Sequence, residues 1–270
     1  MGLRSLRITE VRCKTILNRS VQGFADYTLN AYQGCGFGCS YCYVPVLRRR
    51  HGLQDEAAWG EWVLVKVNAP DVLRREMLRI PPDKRLAIGT ASDAWQPLEK
   101  RYRIARRILE ELSYYPNRVS ILTRSPLLLR DIDVLQRMAN VSVGVSLPAV
   151  DERVRRIFEP FAPALPSRFY LIRKLVAAGL RVSIFWCPIL TGVCNTPLMA
   201  EAVMRQAAAL HVDRVVCGTL NYGNELGRPY RERVEEFRRR FGVKGPLLAP
   251  AAMASEVSKW ANVYGVKASL

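Results

Sequence analysis

The stretch NAYQGCGFGCSYCYVP, residues 30–45, puts Cys35, Cys39 and Cys42 in one short loop, with three and then two residues between them. Glycines 34, 36 and 38 let that backbone turn sharply and approach whatever the thiols hold. Three thiolates at this spacing suit three irons of a cubane 4Fe-4S cluster. The fourth iron is then open to a small molecule, which separates a reactive metal centre from a closed one. The competing readings are a zinc site or an electron-transfer cluster completed by a distant cysteine or by His51. Structural zinc usually combines two ligand pairs, whereas this chain has one triplet and two histidines, His51 and His211.

Outward from the loop, short β-branched runs alternate with amphipathic helical stretches. The runs are Tyr27–Tyr32, Leu86–Thr90, Val119–Thr123, Val141–Leu147, Val182–Ile189 and Arg214–Leu220, with Trp62–Val67 as an accessory strand after an irregular start. This alternation predicts an α/β fold of βα units around a parallel sheet. Helices open at Asn68, at Pro97 and at Thr196-Pro197. In the Pro97 helix, Ile104, Ile108 and Leu112 recur every four residues, which turns arginines 101, 103, 106 and 107 toward solvent. AAMASEVSKWANVYGV reads as a closing helix. Strands of such an array point their C-terminal ends to one face, where ligands bind in the following loops. GCGFGCSYC, TASDAWQP, Arg124-Ser125, Ser146-Leu147, CPILTGVCN and GTLNYGN therefore gather together.

The chain has 270 residues, 49% of them hydrophobic, enough for one full-sized core. No apolar run is long enough to span a membrane, and MGLRSLRITEVRCK lacks a signal-peptide core, so a cytoplasmic protein with no membrane partner is expected. Forty-one basic against 24 acidic residues give a formal charge of +17, a field that attracts nucleic acid, DNA or RNA. The arginines equally suit solvated helix faces.

NAYQGCGFGCSYCYVP, GTASDAWQPLE, ILTRSP, GVSLPAVDERVRRIFEP and PILTGVCN, in that order, resemble the spore photoproduct lyase-like branch of the radical SAM superfamily, often labelled DNA repair photolyase. The resemblance runs from Leu29 to about Asn221. It implies a partial (β/α)6 TIM-type barrel in one domain, with residues 1–26 as an N-terminal extension, 27–225 as the core and 226–270 as closing helices. It also implies that S-adenosyl-L-methionine (SAM) chelates the open iron and is cleaved by an electron to a 5′-deoxyadenosyl radical. A ferredoxin or flavodoxin is the expected electron donor. Carried over by position, Tyr41 packs on adenine. Thr90, Ser92 and Asp93 approach the SAM amino group, Arg124 pairs with its carboxylate, and Ser146 bonds the ribose. Tyr43 is the candidate for a catalytic tyrosyl relay. One departure stands out: Thr90 occupies the position of the lyase's cysteine hydrogen donor, and its O–H bond is too strong for that task. The alternative function is a basic nucleic-acid-binding protein with a structural or electron-transfer cluster.

Cys187, Cys194 and Cys217 fall near the ends of the last two strands. They read either as ligands of an auxiliary cluster, as a hydrogen donor, or as buried small hydrophobes. Asn221, Tyr222 and Asn224 are candidates for a substrate pocket or for an ordinary turn.

Overall fold

The computed structural model describes residues 6–20, 23–52, 58–220 and 225–269. Asn221, Tyr222 and Asn224 lie outside the described residues. From the N-terminus come β1 (Arg7–Val11), β2 (Leu17–Arg19), β3 (Tyr27–Leu29), β4 (Tyr32–Gln33), α1 (Val44–Arg50), β5 (Trp62–Lys66), α2 (Ala69–Met77) and β6 (Arg85–Ile88). Then follow α3 (Glu99–Tyr102), α4 (Ile104–Leu112), β7 (Arg118–Thr123), α5 (Ile132–Leu135), β8 (Val141–Ser146), α6 (Glu152–Phe158) and α7 (Leu165–Ala177). β9 (Arg181–Ile189), α8 (Pro197–Ala209), β10 (Arg214–Thr219), α9 (Gly227–Phe241), α10 (Pro250–Tyr264) and β11 (Ala268–Ser269) complete the chain.

β3, β6, β7, β8, β9 and β10 pair in sequence order, all parallel, as the six expected core strands. β2 adds antiparallel at one edge and β11 parallel at the other. Alternation along the strands sorts the two faces. Val141, Val143 and Val145 of β8 and Val182, Ile184 and Trp186 of β9 are buried in the main core beneath the helices. The opposite face of β8 carries Ser142, Gly144 and Ser146, and the Phe185 ring packs over Gly144 so closely that a Cβ there would meet it at 2.6 Å. Small and polar residues thus leave room inside the barrel, while apolar ones anchor it outside. α10 packs Met253, Val257 and Ala261 into that outer core beside Ala200, Val203 and Met204 of α8. Thr196 caps α8, accepting from the Met199 N–H at 3.2 Å, a bond worth about 1 kcal/mol.

Four local expectations are corrected. The start is not irregular: β1 runs parallel to β5 in a separate three-stranded sheet, whose third strand is β4. The run Tyr27–Tyr32 splits at Asn30-Ala31, so that β3 joins the barrel and β4 the small sheet. Asn68 is no side-chain cap; its amide exchanges two hydrogen bonds with the Cys13 backbone, at 2.8 and 2.9 Å. The Pro97 helix breaks at Arg103, whose φ is +52°. Glu99 folds back there, fully buried, to accept from the Ala105 and Arg106 N–H groups and from Tyr32. Arg106 is consequently not a solvated side chain. It bridges Asp131, Asp133 and Glu110, whereas Arg101, Arg103 and Arg107 are exposed as expected.

Candidate active site

The cysteine loop leaves β4 through Gly34, at φ +83°, where a Cβ would sit 2.4 Å from the Trp62 carbonyl oxygen of β5. Glycine is required there both by conformation and by space. The turn after β6 clamps the loop from one side. Ser92 Oγ donates to the Gly34 carbonyl at 2.7 Å, and the Gly36 N–H donates to Gln96 Oε1 at 2.9 Å. From the other side, Ser40 donates its N–H and its hydroxyl to the Phe158 carbonyl at the end of α6.

Cys35, Cys39, Cys42, Tyr41, Tyr43, Thr90, Ser92, Asp93, Arg124 and Ser146, the residues nominated for cluster, SAM and relay, line one cavity at the C-terminal ends of the strands. Trp59, Gly89, Cys187 and Pro188 join them. Burial pushes up all three loop thiols, Cys42 to about 12.

Arg124 is the hub of the far wall. Its Nη1 donates to Cys39 Sγ at 2.9 Å, to Tyr41 Oη at 3.0 Å and to Glu159 Oε1, while Nη2 reaches Ser146 Oγ at 3.3 Å. Its Nε is buried without a hydrogen-bond partner; the nearest ion-pair oxygen, of Asp93, lies 3.9 Å away. Tyr41 also donates to Glu159. The second Glu159 oxygen receives Arg168 Nη2 at 2.6 Å, in a pair with side chains 1% and 0% exposed. Burial alone would raise the Glu159 carboxyl, but Arg168 and Arg124 hold it below its ordinary value.

Ser92 and Asp93 spend their polar atoms within the chain. Ser92 serves the cysteine loop, and Asp93 accepts from the Trp95 N–H, the Thr123 hydroxyl and the Arg124 N–H at 2.7–2.9 Å. Thr90 Oγ1 receives Asn30 Nδ2 at 3.4 Å, and its carbonyl receives the Tyr43 phenol at 2.7 Å. The sequence reading missed Glu159 and Arg168. The only signal for them was Phe158-Glu159-Pro160 inside a quoted motif, since both sit in stretches that read as amphipathic surface helix.

Among the described residues no three His, Cys, Asp or Glu side chains converge on a point suited to a single metal ion. A cubane makes no such demand, because each thiolate meets its own iron. His51 is exposed at the end of α1, away from the cavity wall. Cys187, Cys194 and Cys217 do not gather into a ligand set. Cys187 lines the cavity, Cys217 faces the main core beside Val215, and Cys194 is buried in a second cluster with Phe158 and Tyr230. Cys194 and Cys217 thus fit the reading as buried small hydrophobes.

The sequence matches the family model described as Radical SAM superfamily over residues 29–194. The chain belongs to the radical SAM superfamily. Uncharacterized protein Rv2578c of Mycobacterium tuberculosis is 31% identical over 258 residues, which covers 90% of this chain and 75% of the relative. Uncharacterized protein MJ0683 of Methanocaldococcus jannaschii is 29% identical over 185 residues, 68% of each chain. Among solved structures, a spore photoproduct lyase mutant with bound AdoMet and dinucleoside spore photoproduct aligns with a TM-score of 0.72 at 15% identity, over 97% of this chain and 81% of that one. Streptococcus suis SuiB bound to precursor peptide SuiA aligns at 0.59 with 10% identity, over 98% of this chain and 48% of that one. At these identities the likeness is one of fold, and the fold is the parallel-strand α/β barrel of radical SAM enzymes. Membership implies an iron–sulfur cluster and SAM. The donor set fits both: three free thiols on one loop, Cys35 and Cys39 buried and Cys42 half-buried, and an arginine with an unpartnered Nε in the same cavity. No helix among the described residues is long and apolar enough to cross a membrane.

Proposed function

We propose that this radical SAM enzyme binds a 4Fe-4S cluster through Cys35, Cys39 and Cys42 and cleaves SAM reductively, taking a hydrogen atom from a nucleic-acid substrate, DNA or RNA. The observation that carries the proposal is the meeting of the cysteine loop and Arg124 in one cavity, with Arg124 bonded to Cys39 Sγ and its Nε still without an acceptor. Cluster and SAM together supply the 5′-deoxyadenosyl radical; the chain supplies binding and orientation. Arg124, braced by Glu159, offers its guanidinium edge to the SAM carboxylate. Tyr41 gives the adenine an apolar wall. Ser146 faces the ribose, and Thr90, Ser92 and Asp93 shape the amino-group end. Asp93 also fixes the backbone from which Arg124 projects. Tyr43 holds its phenolic proton on the Thr90 carbonyl, at the rim where a relay to substrate would start. Repair by a cysteine hydrogen donor at position 90 is not part of the proposal, since threonine stands there.

The charge of +17 supports a polyanionic substrate, and the dinucleoside held by the lyase neighbour agrees with one. A low-potential carrier such as ferredoxin or flavodoxin would deliver the electron. Seven free cysteines accord with a reducing, cytoplasmic compartment.

Anaerobic reconstitution with iron and sulfide, followed by dithionite and SAM, tests this. Time-dependent 5′-deoxyadenosine, formed only with reductant, is the expected outcome. A complete cluster that neither binds SAM nor yields 5′-deoxyadenosine would contradict it and favour the nucleic-acid-binding protein with a structural or electron-transfer cluster.

A further inference from the structure

Away from the cavity, α9 lies against α6 and a cleft of about 320 Å³ opens between them. Its walls carry Arg153 and Arg156 from α6, Arg233 and Arg240 from α9 and, among the described residues, a single carboxylate, Glu236. The arginine side chains are 46–73% exposed, so they can exchange their present partners for an incoming anion. Those partners, Asp151, Glu152 and Glu236, are three carboxylates for four guanidiniums. Phe241 orders the floor, with the guanidiniums of Arg153 and Arg240 5.5 and 5.2 Å from its ring centroid. α9 as a whole carries six arginines against three glutamates.

Spacing decides what such a cleft accepts. Arg233 and Arg240 stand two helical turns apart, about 10 Å along the axis, and Arg153 and Arg156 roughly 5 Å apart. One phosphate would occupy one fork of this array, whereas a strand with regularly repeated phosphates occupies it along its length. The location agrees. Ile157 and Pro160 form part of the cleft wall, while between them the Phe158 carbonyl holds the cysteine loop and the Glu159 carboxylate holds Arg124. The same four-residue segment therefore has the cleft on one side and the cavity on the other.

We infer that the α6–α9 cleft is a track for the sugar–phosphate backbone of a single-stranded nucleic acid, seating the strand beside the cavity. This deepens the proposed function, since it rests on that reading for the role of the strand as substrate. The cleft itself requires only the phosphates.

Fluorescence anisotropy of the full chain with reconstituted cluster tests it, using a short labelled single-stranded oligonucleotide of mixed sequence as DNA and again as RNA. Arg233→Gln/Arg240→Gln is expected to weaken binding about tenfold and to lower the slope of log K against log salt by about 1–2. Both oligonucleotides should respond alike. Glu236→Gln, which removes the one carboxylate from the wall, is expected to tighten binding and keeps the test decisive should the double variant fold poorly. Unchanged affinity and slope in the arginine variant, no gain in Glu236→Gln, or equal competition by polyglutamate would each overturn the assignment. 5′-Deoxyadenosine formed by the same preparations without oligonucleotide reads the radical chemistry separately, so either conclusion can fail alone.

Discussion

Arg168→Met is expected to lose about 3–5 kcal/mol of folding stability, the cost of removing one partner from a buried ion pair together with its two hydrogen bonds to buried carbonyls. Arg168 is fully buried and spends three donors: on Glu159 Oε2 at 2.6 Å, on the Ser146 carbonyl at 3.0 Å and on the Pro163 carbonyl at 2.9 Å. Methionine fills much of the volume but leaves two carbonyls without a donor and Glu159 dependent on Arg124 alone. Urea unfolding monitored by circular dichroism checks the value, with Arg173→Met as the comparison. Arg173 is exposed on the same helix, and a surface change there is expected to stay within about 0.5 kcal/mol. A loss no larger in Arg168→Met than in Arg173→Met would show that the pair braces nothing.

Gly34→Ala is expected to abolish cluster incorporation while leaving the barrel folded. The substitution combines a left-handed φ with a Cβ 2.4 Å from a backbone oxygen of β5, so the loop rather than the strand must give way. Displacing Gly34 also pulls its carbonyl from Ser92, the clamp that sets the loop against β6. Iron per chain after reconstitution should fall at least about tenfold, with the far-ultraviolet spectrum unchanged. Gly36→Ala provides the contrast. A Cβ at Gly36 meets nothing nearer than 3.5 Å, and full iron content is expected. Equal iron in both variants would mean that loop geometry does not control the cluster.

The six core strands were legible because short β-branched runs, such as Val141–Ser146 with valine at every second position and Arg181–Ile189, recur between amphipathic helical stretches. The positions of the cavity residues followed, since loops after parallel strands share one face. β1 was not legible: four of its five residues are exposed, and it is a strand only because β5 pairs with it. Nor was the break at Arg103, because the apolar stripe continues on both sides and only the folding back of Glu99 ends α3. Glu159 and Arg168 were hidden for a related reason. Charged residues beside amphipathic helices read as solvated, and tertiary structure alone turns these two inward. The same limit applies to Ser92 and Asp93, whose hydroxyl and carboxylate bind the loop and the strand end rather than projecting free into the cavity.

The central claim is that Cys35, Cys39 and Cys42 hold a cluster with one iron open to SAM. Electron paramagnetic resonance of the dithionite-reduced protein, recorded with and without SAM for wild type and Cys39→Ala, tests it most directly. A signal of a reduced 4Fe-4S cluster whose g values shift when SAM is added, and which is lost in Cys39→Ala, is the result the account predicts. A cluster signal indifferent to SAM, or one that survives loss of Cys39 unchanged, would contradict it.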